Sequence, residues 1–464
     1  MSAALNKTAK QSIVSVLLGD VLFEIRNGLV ADQEKAKPGI PITRIETISK
    51  GVVDLERVRY VRNTDGLKLD RFWLKSGDIL FSHINSDLHL GKTAIVMSDA
   101  PLLHGMNLLV LRTDRERLLP RYLHHWLDFC RRTGVFMAIA QHAVNQSSLN
   151  QKKITSLKIP LPSIDEQEKV VAEIEKQFSR LDEAVANLQR VKANLKRYKA
   201  SVLKDVVEGR LVPTEAELAC REGRSFETGG ELLQRILETR RSNWNGRGKF
   251  KTPDAPEAMG LVELPSGWVW ASVEQLADVI SGLTKNPSRE TLPLKLPYLR
   301  VANVYANELR LDDMAEIGVA DNELQKLLVL KNDLLVVEGN GSPDQIGRVA
   351  KWDGSITPCV HQNHLIKVRA VVTEPDWVLN WLVSPGGRKQ IELVSSSTTG
   401  LHTLSSGKVG RLPVPLPPVA EQQRIVLEVD RRLSLIRRVE AEVNANLKRS
   451  QALRQSTLSK AFSF

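Results

Sequence analysis

The chain has 464 residues, 42% of them hydrophobic and 26% charged, an ordinary balance for a soluble globular protein with room for about three domains. Its formal charge of +11 favours a polyanionic partner, nucleic acid first. No apolar run approaches the ~18 residues of a membrane span, the polar stretch from Met1 to Gln11 lacks the core of a signal peptide, and Cys130, Cys220 and Cys359 are too scattered for a disulfide framework; a reducing cytoplasm and no membrane contact are expected.

Residues 1–11 read as a flexible N-terminus. From 12 to 163, short apolar runs such as Asp78–Phe81 and Leu108–Leu111 lie between Gly, Asn and Asp and read as strands joined by turns. A helix over Pro120–Arg132 sets Tyr122, Leu123, Trp126, Leu127 and Phe129 on roughly one face, so the unit is α+β. Pro160 and Pro162 then break the chain, and Asp165 is placed to N-cap a long helix over 164–208. Its apolar positions Ile174, Phe178, Leu181, Val185 and Leu188 alternate spacings of four and three, the seam of a coiled coil, and the pattern slips through Val191 to Leu195, Tyr198 and Val202. At 1.5 Å per residue such a helix is about 65 Å long, too long to bury within one small domain. Residues 209–264 form a polar connector with one helix, opened by a capping box at Thr228 and Glu231, and a Gly-, Lys- and Pro-rich linker over 246–259. A second globular unit spans 265–418. A second long helix follows over 419–464, with Val426, Val429, Leu433, Ile436, Val443 and Leu447 along its seam.

These elements are two copies of one pattern. Residues 159–174 read IPLPSIDEQEKVVAEI and residues 414–429 read VPLPPVAEQQRIVLEV, with Glu166 answering Glu421 at an offset of 255. Ala193–Arg197 and Ala445–Arg449 both read ANLKR. The globular parts match only in a skeleton: Asp78 with Asp333, Gly91-Lys92 with Gly347-Arg348, His104 with His361, Arg112 with Arg369, and Tyr122 and Trp126 with Trp377 and Trp381. Charge orients the helices. Residues 165–183 carry seven acids and three bases, whereas 190–204 carry six bases and 443–464 four bases, neither with an acid. Antiparallel pairing opposes unlike ends and parallel pairing sets bases beside bases, so the helices are expected to run antiparallel.

Catalytic motifs are missing. Gly91-Lys92-Thr93 ends a near-miss phosphate loop whose first glycine is Ser86, and its counterpart Gly347-Arg348-Val349 has no hydroxyl for magnesium. Asn286-Pro287-Ser288 lacks the second proline and the aromatic of a flipped-base pocket. No Pro-Asp pair leads into a nuclease motif, and Cys359, His361 and His364 offer three metal ligands without a fourth, so no metal is expected.

The motif P-L-P-x-x-x-E-Q opening a long helix, present at Ile159–Gln167 and Val414–Gln422, together with L-P-x-G-W at Leu264–Trp268 and the doubled unit-then-helix order, resembles the specificity subunits of Type I restriction–modification systems. The first unit departs from that pattern by lacking the P-x-G-W opening. The resemblance implies an α+β fold with two target-recognition domains, 12–163 and 265–418, separated by two long antiparallel coiled-coil helices in a pseudo-twofold repeat. It implies a non-catalytic subunit that reads a split target in double-stranded DNA, with helices that space the two halves and dock two DNA methyltransferase subunits, and with restriction and translocase subunits joining separately. S-adenosylmethionine, ATP and magnesium would then belong to the partners. The alternative is a helical assembly scaffold without DNA readout.

Within this frame the candidate DNA contacts are basic and amide residues in turns, since Arg and Lys suit guanine or phosphate and Asn and Gln suit adenine. In the first domain they are Arg26, Asn27, Arg44, His83, Asn85, Lys92, His104 and Asn107; in the second, Lys285, Arg300, Asn303, Asn340, Arg348, His361, Gln362 and His364. The candidate docking seam is Ile174, Phe178, Leu181, Val185, Leu188, Val429, Leu433, Ile436 and Val443.

Overall fold

Strand stretches that are apolar at every position need cover on both faces, and Ile79–Phe81 and the first three residues of Leu109–Thr113 find it. In the computed structural model, which describes residues 14–99, 101–144, 146–244, 248–257, 261–340, 345–398 and 401–463, these runs are the inner strands of an antiparallel sheet. Its order is Leu22–Asn27, Leu109–Thr113, Ile79–Phe81, Thr93–Ile95. Alternate residues point to opposite faces. Ile79, Phe81, Leu109 and Leu111 share a core with Tyr122, Leu123, Trp126 and Leu127 of the helix Pro120–Arg132. Leu80, Ala94 and Val110 pack on the other side with Ile48, Leu74 and Leu102.

This sheet belongs to the first of two units, Met1–Arg190 with Val443–Phe464; the second is Val191–Glu442. The second unit repeats the order with Ala277–Ser281, Leu365–Ala370, Leu334–Val337 and Val349–Lys351. Each unit also pairs its first strand with the strand that leads into its long helix: Ser15–Leu17 with Lys158–Pro160, and Val269–Ser272 with Pro413–Leu416. Each carries a three-stranded ribbon, of order Ile84–Asn85, Gln146–Ser148, Gln141–Ala143 in the first and Gly339–Asn340, Leu401–Thr403, Ser396–Thr398 in the second. Each unit also has a smaller sheet: in the second, Lys295–Leu299 runs antiparallel to Ala315–Gly318 and parallel to Val360–His361, and in the first, Ile40–Ile42 runs antiparallel to Arg59–Val61 with a parallel bridge from Ile42 to Leu103.

The repeated proline motif has a mechanical role. The prolines leave carbonyls without a competing ladder N–H on the same residue, and aromatic donors take them: Tyr122 Oη donates to Pro160 O at 3.0 Å, and Trp377 Nε1 to Pro415 O at 2.8 Å. The motif glutamine is fully buried in both copies. Gln167 donates to Arg117 O and Pro162 O and accepts from Leu119 N; Gln422 donates to Pro417 O and accepts from Glu374 N. Each glutamine therefore ties the start of a long helix to the start of the helix that covers the sheet.

The motif glutamate behaves differently in the two copies. Glu166 is exposed and forms a capping box with Ser163, so Ser163, not Asp165, is the N-cap of the helix Ile164–Val207. Asp165 lies in the first turn, where its charge favours the helix N-terminus. Glu421, near the start of the helix Val419–Phe462, is buried and accepts from Trp268 Nε1 at 3.1 Å and Glu215 N at 2.9 Å; burial pushes its carboxyl pKa up.

Within each unit the two long helices run antiparallel. In the first, Ile174 shares a core with Leu458 and Phe462, while further along Arg454 pairs with Asp182 and lies 4.2 Å from the Phe178 ring. In the second, Val202 and Val206 share a core with Ile425, Val429, Leu433 and Ile436, and Glu215, just beyond the first helix, pairs with Arg424 near the start of the second. Leu181, Val185 and Leu188 are half-buried and Val443 is buried. The slip in the pattern leaves Val191 and Tyr198 at 40% and 47% exposure, so these two are not seam positions. The connector holds two helices rather than one, Glu215–Glu222 and Gly229–Ser242, with capping boxes at Thr214/Glu217 and Thr228/Glu231. Among the described residues no helix is long and apolar enough to cross a membrane.

Candidate nucleic-acid interface

The repeated glycine–cation pair is a turn that only glycine fits. Gly91 and Gly347 sit at φ +74° and +61°, and a Cβ there would come within 2.2 Å of Phe136 and 2.6 Å of Ile391. The cation that follows reaches a carbonyl near an arginine-started turn. Lys92 Nζ donates to Ser49 O at 3.0 Å, beyond the turn Ile45–Ile48 that follows Arg44. The Arg348 guanidinium lies 3.5 Å from Val301 O, in the turn that follows Arg300, and 5.0 Å from the Tyr305 ring. Arg310 stacks on that ring at 3.9 Å. Both cations remain half-buried.

Three of the four candidates buried among the described residues are bonded within their own turns. His104 and His361 are fully buried: His104 Nε2 lies 3.1 Å from Leu108 O and His361 Nδ1 3.0 Å from Leu365 O. A carbonyl only accepts, so in each ring the nitrogen facing it carries the proton. Burial pushes their pKa values down, to about 3 for His104 and about 4 for His361. Asn303 is 2% exposed, donates to Arg310 O and Asp313 O, and accepts from Arg300 N. These three hold turns together and are withdrawn as contacts to DNA.

The others divide by how far their polar groups are occupied. Arg26 is buried, pairs with Glu24 at 2.7 Å and lies against the Phe72 ring. Arg44 reaches Gln33 at 3.2 Å, Arg300 pairs with Asp313 at 2.8 Å, and His364 contacts Glu338 at 2.9 Å. Asn85 bonds locally to Ser82 and Ser86, and burial lowers the pKa of half-buried His83. Asn27 and Lys285 are exposed, Gln362 is half-buried, and Asn107 is half-buried in a left-handed turn at φ +70°. The Asn340 side chain lies outside the described residues.

The fold brings His83, Asn85 and Lys92 together, because Ser82 pairs with Lys92 and Gly91 through backbone hydrogen bonds. Sequence reasoning missed the Tyr305–Arg310–Arg348 stack and the ribbon strand Gln141–Ala143. The available signal was the run Gln141–Ser148, polar or small but for Val144, between two apolar segments. Among the described residues no group of three His, Cys, Asp or Glu could hold a metal. Cys359 is buried, which pushes its thiol up to about 12.

The two units thus share one sheet order, and each carries a three-stranded ribbon and a glycine–cation turn. Comparisons with known proteins give one group of similar proteins. Residues 13–197 match the family model described as "Type I restriction modification DNA specificity domain". A putative type I restriction enzyme MjaX specificity subunit of Methanocaldococcus jannaschii is 48% identical over 154 residues, 33% of this chain and 36% of that one. The type I restriction enzyme EcoKI specificity subunit of Escherichia coli is 29% identical over 193 residues, 40% of each. A solved structure titled for complex assembly and conformational transition of the type I R-M system overlays 97% of both chains with a TM-score of 0.61 at 19% identity, which establishes the fold. Residues 13–197 thus resemble the Type I restriction–modification specificity subunits, and the chain's matches span 36% and 40% of the lengths of those two relatives.

Proposed function

We propose that this chain is the non-catalytic, DNA-reading subunit of a Type I restriction–modification complex, each unit recognising one half of a split target. The reading rests on one observation above all: the two units share sheet order, proline–aromatic bonds and buried glutamines, while corresponding exposed positions differ. A scaffold has no use for such one-sided divergence. The long helices would present docking faces to two methyltransferase subunits and set the spacing of the half-targets. Restriction and translocase subunits would join the assembly, in the cytoplasm. S-adenosylmethionine, ATP and magnesium would enter with those partners.

The test is a domain exchange. Replacing residues 12–157 with the same region of a relative of different specificity should change one half-target and leave the other intact. Mapping methylated bases in cells carrying the hybrid reads the result. A change in both halves, or in neither, would mean that the units do not read independently.

A further inference from the structure

The ribbon of the first unit divides its side chains between two faces. Ser147 lies opposite His142 on one side and Asn85 on the other. On that face Ser147 is 1% exposed, its hydroxyl donates to Asp87, and its oxygen lies 2.9 Å from His142 Nδ1. This polar ladder holds the three strands together. Strand side chains alternate between faces, so Gln141, Ala143 and Gln146 point the other way, and all three are exposed. From Thr133 to Ser163 the chain carries Lys152, Lys153 and Lys158 and no acid, so the segment that bears this face attracts a polyanion.

The second unit repeats the row in register with serine and histidine exchanged: His402, on the middle strand, lies opposite Ser397 and Asn340. The positions that correspond to Gln141, Ala143 and Gln146 hold Ser396, Thr398 and Leu401. The same three residue types thus stand in register across both ribbons, and the residues at the alternate positions change completely.

We propose that the ribbon Gln141–Ala143/Gln146–Ser148 enters the major groove of the half-target read by the first unit, and that Gln141 and Gln146 recognise adenine there. The major groove, about 12 Å wide, admits a two-stranded ribbon; a Gln amide matches adenine N6 and N7, and an Ala methyl suits the methyl of thymine. The assignment rests on the DNA-reading function proposed above and names the side chains that perform it in one unit. It requires that this half-target contain A·T pairs at the ribbon.

The test uses the full chain assembled with its methyltransferase subunits, selecting from duplexes randomised across the half-target that the domain exchange has assigned to the first unit. Gln141→Ala and Gln146→Ala should each relax the preference for adenine at one position by about tenfold or more, the worth of one bidentate contact. The other half-target and the affinity for unrelated duplex should not change, and an unchanged melting temperature confirms the fold. The triple variant Q141S/A143T/Q146L should replace the A·T preference at the same positions. An unaltered half-target in all three variants would overturn the assignment. So would a uniform loss of affinity for every sequence with a shallower salt dependence, which marks phosphate contact. If the exchange itself moves neither half-target, the proposed function falls; if the exchange works and the glutamine variants read normally, only the ribbon assignment falls.

Discussion

Replacing Asp333 by Ala should destabilise the second unit by about 3 kcal/mol, and Asp78→Ala should destabilise the first in the same sense but less. Each carboxylate is at most 2% exposed and takes two hydrogen bonds from one guanidinium: Arg112 to Asp78 at 2.7 and 2.7 Å, Arg369 to Asp333 at 2.7 and 2.6 Å. Each also closes a turn by accepting a backbone N–H, Lys75 N at 2.8 Å and Leu330 N at 2.7 Å. Removing the acid opens the turn and leaves Arg369, among the described residues, with only the Leu328 carbonyl, at 3.0 Å, whereas Arg112 keeps Glu24 at 3.3 Å, so the loss in the first unit should be the smaller. The arginines keep 20% and 30% of their side-chain surface in water, which holds the cost to the lower part of the range for broken buried pairs. Asn should recover the turn bond but not the charge, and so about half the loss. Chemical denaturation measures both variants. Trp268, Trp270, Trp352, Trp377 and Trp381 make fluorescence report mainly on the second unit, and proteolysis follows the first. A cost below about 1 kcal/mol would place the pairs with ordinary surface salt bridges.

Acid should unfold the protein early, and the first unit before the second. The unfolded chain protonates histidine near pH 6.5, whereas burial holds His361 near 4 and His104 near 3. The nitrogen turned away from the carbonyl is buried without a partner in both rings, so protonation there places a charge with nothing to receive it. The unfolded state therefore takes up the proton first, and stability falls as pH drops through 6.5, continuing to about 4 for His361 and about 3 for His104. At pH 4 the His361 contribution amounts to roughly 3 kcal/mol. The first unit also holds His124 and His125, whose pKa values burial lowers to about 4. In the second unit Glu421 works in the opposite sense. Its pKa is raised by burial, so falling pH in the range above 4.5 favours the folded form. Denaturation midpoints measured from pH 7 to 5 should fall for the wild type and fall less for His104→Gln and His361→Gln. Parallel profiles in all three proteins would show that these rings do not control acid stability.

Much of this molecule is legible along the chain. The doubled proline motif, the offset of 255, the helical seams and the opposed helix charges are regularities of spacing, and spacing is what periodic structures impose on a sequence. The antiparallel pairing follows from the same kind of reasoning, because like-charged ends repel wherever the helices lie. The helix Glu215–Glu222 was equally available, since Thr214 and Glu217 repeat the Thr228 and Glu231 signature. What the sequence could not reveal is which polar side chains are already occupied. His104, His361 and Asn303 look like ligands for DNA in a turn-rich chain, yet each is held within its own turn, because a buried polar group without a partner costs more than a solvated one gains. Glu166 and Glu421 occupy the same place in one motif and do different work. The difference lies in Trp268 and Glu215, 153 and 206 positions away from Glu421 along the chain. The two faces of the ribbon were hidden for the same reason: alternation assigns a face to each residue, but only the strand pairing with Asn85 and the contact with Asp87 bury Ser147 while Gln141, Ala143 and Gln146 stay exposed.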